Sequence, residues 1–110
     1  MAQSIIQRDD PGTRWYLKYL DYIPDNAWGA LHTGANYSQG KAFTFNKKVS
    51  WTGIFFTATV QTDAIHAHIV PLNDTSAKVT TVNLRNTTIN PAIVRVYILV
   101  KDPDITISWS

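Results

Sequence analysis

The strongest constraint on this chain is the run at residues 49–70, VSWTGIFFTATVQTDAIHAHIV, where apolar side chains recur at every second position. That period places one set of side chains on a single face of an extended strand. Val49 and Trp51 share a face, and after Gly53 the set Ile54, Phe56, Ala58 and Val60 continues it. A β-bulge at Gly53 would produce this one-residue slip. Gln61-Thr62-Asp63 turn the chain, and residues 64–70 return with Ile65, Ala67 and Ile69 inward and His66 and His68 outward. A second run, residues 79–100, is built to lie against the first. Its strongest strand is AIVRVYILVK at 92–101, with Val94, Val96, Ile98 and Val100 on one face and Ile93, Arg95, Tyr97 and Leu99 on the other. Both faces are apolar enough to call for a cover.

The rest of the chain supplies short strands and turns around these two runs. Residues 1–12 hold one apolar pair, Ile5-Ile6, and then the turn chemistry of Asp9-Asp10-Pro11-Gly12. Residues 13–23, TRWYLKYLDYI, fit two periods. As a strand, Trp15, Leu17 and Tyr19 alternate with Tyr16, Lys18 and Leu20. As a helix, Thr13 caps it and Pro24 stops it. The aromatic content favours the strand. Residues 27–40 are broken by glycines and anchored by Trp28 and Leu31, as a loop or a short strand between turns. Further strands are expected at 41–46, 78–84 and 105–109, with a turn at 71–77. The expected fold is all-β: a single β-sandwich or jelly-roll of about eight short antiparallel strands. Residues 1–12 form an N-terminal arm or edge strand, and 13–110 form the sandwich domain.

Composition narrows the function. The 110 residues suit one domain, and 45% hydrophobic content permits a real core. No Cys is present, so disulfides, thiolate metal sites and Cys nucleophiles are excluded. All eight acidic residues are Asp, which removes half the usual supply of catalytic carboxylates and tilts the chain away from helix. Net charge is only +2, and the scattered Lys and Arg form no nucleic-acid footprint. The sequence shows no secretion signal and no apolar run of membrane-spanning length, so synthesis in the cytoplasm without membrane association is expected. Neither a Gly-x-Ser-x-Gly elbow nor a phosphate-binding glycine loop occurs, and no cofactor or enzymatic activity is expected.

His66 and His68 are the pair with metal-ligand spacing, and His32 is the candidate third ligand. The pair resembles the His-x-His of cupins, but the Glu that pattern requires is missing and alternation turns both rings outward. They are read first as surface or interface histidines. Tyr16, Trp28 and Tyr37 are the candidates for a sugar-stacking platform.

Residues 53–72, GIFFTATVQTDAIHAHIVPL, and 78–101, KVTTVNLRNTTINPAIVRVYILVK, are similar in texture to the small jelly-roll and sandwich domains that tailed bacteriophages use as virion accessories, among them head decoration (cement) proteins, tail knobs and fibre tips. The resemblance implies a non-enzymatic structural protein of the virion. It implies homo-oligomers, trimers among them, that contact other virion proteins such as a major capsid protein. Ile5, Ile6, Arg8, Arg95, Tyr97 and Leu99 are the interface candidates. The alternatives are a carbohydrate- or receptor-binding module using the 27–40 loop, and a cupin-like metal-dependent enzyme.

Overall fold

Alternating apolar residues make strands here because each extended segment buries one face and leaves the other outside. A computed structural model describes residues 14–110. Among them run seven strands: β1 (Tyr16–Tyr22), β2 (Ser38–Phe45), β3 (Phe55–Val60), β4 (Ile65–Asn73), β5 (Ser76–Asn83), β6 (Val94–Val100) and β7 (Ile107–Trp109). An isolated bridge between Trp28 and Ile89 adds to them, close to the eight expected. All pairings are antiparallel, in a three-stranded sheet ordered β1-β6-β3 and a four-stranded sheet ordered β4-β5-β2-β7. The two expected runs do pair: β4 with β5 and β3 with β6. The arm expected at 1–12 lies outside the described residues.

β6 is the middle strand of its sheet, and Val94, Val96, Ile98 and Val100 are wholly buried. Across the core they meet the inward residues of the other sheet, including Phe43, Phe45, Ile65, Ile69, Ala77 and Val79. Truncating one such side chain, as in Ile98→Ala, removes its transfer energy and leaves a cavity, together about 2–5 kcal/mol.

Within the segment 13–23, residues 16–22 form strand β1, because the inward set Tyr16, Leu20 and Tyr22 packs on the core. Two expectations are corrected. The phase change near Gly53 is not a β-bulge but a 3-10 turn over Trp51–Gly53, closed by Gly53 N–H donating to the Ser50 carbonyl at 2.9 Å. Trp51 Nε1 donates to the Asn73 carbonyl at 2.7 Å and fixes that turn against the β4–β5 hairpin. Nor does the chain turn at Pro71. β4 runs on to Asn73, since Pro71 lies on an edge strand beside a register irregularity, where its missing N–H does least harm. The hairpin closes at Asn73, whose Oδ1 accepts from Thr75 N and Oγ1 at 2.9 and 3.0 Å.

Trp28 is wholly buried rather than exposed. Its Nε1 donates to Thr81 Oγ1 at 2.8 Å, and Thr81 Oγ1 donates to the Gln39 carbonyl at 3.2 Å. Beside it, buried Asn83 donates from Nδ2 to the carbonyls of Gly29 and Thr87, both at 2.8 Å. Asn83 Oδ1 accepts from Arg85 N at 2.9 Å. One side chain thus ties two loops to the end of β5. The first of these loops is tightly closed, because a Cβ on Gly29 would stand 2.3 Å from the Ala35 carbonyl oxygen. Asn83→Ala leaves buried carbonyls without donors, a loss of about 2–3 kcal/mol. Urea unfolding of Asn83→Ala is therefore expected to show a drop comparable to a core truncation, and a change below about 0.5 kcal/mol would contradict this role.

Candidate functional site

The unusual surface of this sandwich is the outer face of the β1-β6-β3 sheet. Register stacks its side chains in three cross-strand rows. The first is Leu17, Leu99 and Phe55; the second is Tyr19, Tyr97 and Thr57; the third is Asp21, Arg95 and Thr59. The face therefore grades from apolar at one end to polar at the other. Leu17, Tyr19 and Phe55 are 57%, 55% and 63% exposed. Leu17 and Phe55 edge an open hollow of about 290 Å³ that Phe56, Thr57, Tyr97 and Leu99 also line.

The charges on this face close on one another. Arg95 grips Asp21 with two bonds, Nε to Oδ1 at 2.5 Å and Nη2 to Oδ2 at 2.7 Å. Hydrogen bonding from the guanidinium lowers the Asp21 pKa and raises that of Arg95. A carboxylate pKa depressed by folding stabilises the fold above its unfolded value of about 3.9, and this contribution is lost as pH falls through the lower folded value. The Arg95 Cζ also lies 4.7 Å from the Tyr19 ring centroid and 5.8 Å from that of Tyr97. At the apolar end, Trp15 packs on Phe55 at 5.3 Å and Lys101 Nζ lies 4.9 Å over the Trp15 ring. The aromatic rings of this face are already engaged by cations and by one another.

The opposite face of the molecule differs in kind. Alternation places Thr44, Lys78, Thr80, Ser108, His66 and His68 on the outside of the four-stranded sheet, with Val70 and Val82 among them. The two imidazoles stack with centroids 5.9 Å apart, both exposed. His32 sits in the loop before β2, at positive φ of 65°, against the Tyr37 ring. Among the described residues no group of three or more His, Cys, Asp or Glu is placed to hold a metal ion, so the three histidines are not brought together.

The sugar platform does not assemble either. Trp28 is in the core, Tyr16 is half-buried on the inner face, and Tyr37 packs edge-on to His32. Of the interface candidates, Arg95, Tyr97 and Leu99 do come together, while Ile5, Ile6 and Arg8 lie outside the described residues. Sequence reasoning missed their cross-strand partners Leu17, Tyr19, Asp21, Phe55 and Thr57. The strand phase of 13–23 already grouped Leu17 with Tyr19, but alternation within one segment does not show which strand lies beside it.

A second hollow, about 220 Å³, opens between Tyr22, Pro24, Asp25, Asn26, Gln39 and Lys41. Lys41 Nζ lies 5.4 Å from the Tyr22 ring, which meets Trp109 edge-on at 4.9 Å. The Tyr22 hydroxyl is buried with no hydrogen-bond partner among the described residues, and desolvation pushes its pKa up. An unbonded buried hydroxyl adds nothing to stability. Tyr22→Phe is expected to leave stability unchanged or to raise it by up to about 1 kcal/mol. Burial penalises the phenolate in the fold, so stability falls as pH rises past the unfolded value of about 10, and wild type should lose more stability than Tyr22→Phe between roughly pH 9 and 11. Equal losses in thermal melts would show that Tyr22 does not carry this dependence. Comparison of the chain with protein-family models, curated proteins and solved structures finds no match in any of the three.

Proposed function

We propose that this chain is a non-enzymatic structural protein of a virus particle, a capsid decoration or cement protein that stabilises the shell through subunit contacts. One observation carries the reading: an apolar, aromatic sheet face that the described residues leave open, on one side of a sandwich whose other side is mainly polar. A soluble monomer has no use for a contiguous apolar patch of this kind, and such patches mark interaction surfaces. Burying Leu17 or Phe55 against a neighbour contributes about 1.5–3 kcal/mol each before the cost of association.

The resemblance in strand texture supplies the virion setting, and the closed Arg95–Asp21 pair supports a preformed surface. A glycan-binding role draws less support, since the Tyr19, Tyr97 and Trp15 rings are engaged by cations and Trp28 is buried. The cupin-like alternative lacks a convergent ligand set among the described residues.

The test uses virus particles banded by density from infected cells. The wild-type chain is expected in the particle band, and Phe55→Lys, folded by circular dichroism, is expected to be depleted from it at least tenfold. A wild-type chain found only in the free fraction, or one that binds a glycan saturably while absent from particles, overturns the proposal.

A further inference from the structure

We infer that a second copy of this chain covers the outer face of the β1-β6-β3 sheet, docked face to face about a two-fold axis running along β6. The inference rests on the docking role proposed above and names its partner.

Three features of this face select a like partner. The first is shape. β6 is central, so rotation about an axis parallel to it lays β1 of one copy over β3 of the other, and β6 over β6. Each row then meets its own counterpart. Leu17 faces Phe55, Leu99 faces Leu99, and Tyr19 faces Thr57 of the second copy. Tyr19 is the bulky, 55% exposed member of its row, and Thr57 is the small member that lines the hollow of about 290 Å³. Tyr19 on β1 and Thr57 on β3, one large and one small on opposite sides of β6, make the face complementary to itself. An isologous contact needs that property, because residue i must meet j while j meets i.

The second observation is charge. Asp21 and Arg95 neutralise each other within one copy. That end of the face therefore carries no net charge to favour an acidic or a basic partner, and the two Arg95 side chains that face each other across the axis each keep their own Asp21.

Area is the third. Leu17, Tyr19 and Phe55 together expose on the order of 400 Å², about half of the roughly 800 Å² that each partner contributes to a standard interface. A contact of that size is reversible and concentration-dependent rather than obligate, with a Kd of micromolar or weaker.

Sedimentation velocity across roughly 1 µM to 1 mM tests the pairing. Wild type is expected to pass reversibly from monomer to dimer in that range. Tyr19→Lys alone and Thr57→Asp alone should each weaken the dimer at least tenfold. Both positions are exposed, and circular dichroism checks that each variant folds as wild type does. Mixing the two variants in equal amounts should restore dimer to within a few-fold of wild type, because one ammonium then meets one carboxylate across the axis while the other Tyr19–Thr57 contact stays native. Thr44→Asp, on the outside of the other sheet, should leave the dimer unchanged. A wild type that stays monomeric to 1 mM, a mixture that stays as monomeric as its components, or equal weakening by Thr44→Asp overturns the two-fold pairing. If such a wild type still bands with particles and Phe55→Lys does not, only the second copy is excluded and the docking role stands.

Discussion

A two-layer sandwich gives each strand one dry face, and β6 carries apolar or aromatic side chains on both. Its inner set, Val94, Val96, Ile98 and Val100, is sealed between the sheets and holds the core together. Its outer set cannot be sealed by the same means, since the described residues place no third layer over that sheet. The rest of the surface follows from this mismatch. Leu17 and Phe55 sit beside Leu99 because antiparallel register puts them there, and together they make a row that water covers poorly. Arg95 is kept on the face by its two bonds to Asp21, and its guanidinium lies over Tyr19, so the polar end of the face is as ordered as the apolar end.

Polar order in the interior rests on different chemistry. Trp28, Thr81 and Asn83 are buried, and their hydrogen bonds satisfy the backbone of loops that would otherwise leave carbonyls unpaired in the interior. A wholly apolar core could not hold these loops, because a carbonyl desolvated without a donor is costly. The sandwich therefore has an interior that is apolar along β6 and deliberately polar where the 27–40 and 85–89 segments enter it. Trp28 belongs to both regimes, with its ring in the core and its nitrogen in the network.

Much of the fold was legible in the sequence. Alternation over 54–60, 64–70 and 93–100 identified strands, their inward sets and the outward turn of His66 and His68, because a period of two is a direct image of the pleat. The Gly53 slip was visible, but a bulge and a 3-10 turn shift the phase alike, and only Trp51 reaching the Asn73 carbonyl tells them apart. Pro71 read as a turn because proline removes a donor, yet an edge strand has donors to spare. Trp28 was rightly read as an anchor and wrongly as a platform, since the loop around it shows no period that would reveal its depth. The docking face was half legible: Arg95, Tyr97 and Leu99 came from one strand, and their neighbours came from registers between segments far apart in the chain.

Between consecutive strands the chain crosses from one sheet to the other at every link except that joining β4 to β5, among the described residues. The β4–β5 hairpin is therefore the one pairing made by neighbours, and pairings between distant segments are slow to form. β1 must wait for β6, which lies more than seventy residues later in register pairs such as Tyr22 with Val94. On a ribosome, where the N-terminal part emerges first, Leu17 and Tyr19 are synthesised long before the strand that seats them exists. The sticky face is assembled only once β6 has been made, so a nascent copy that lacks it has no finished patch with which to capture its neighbours.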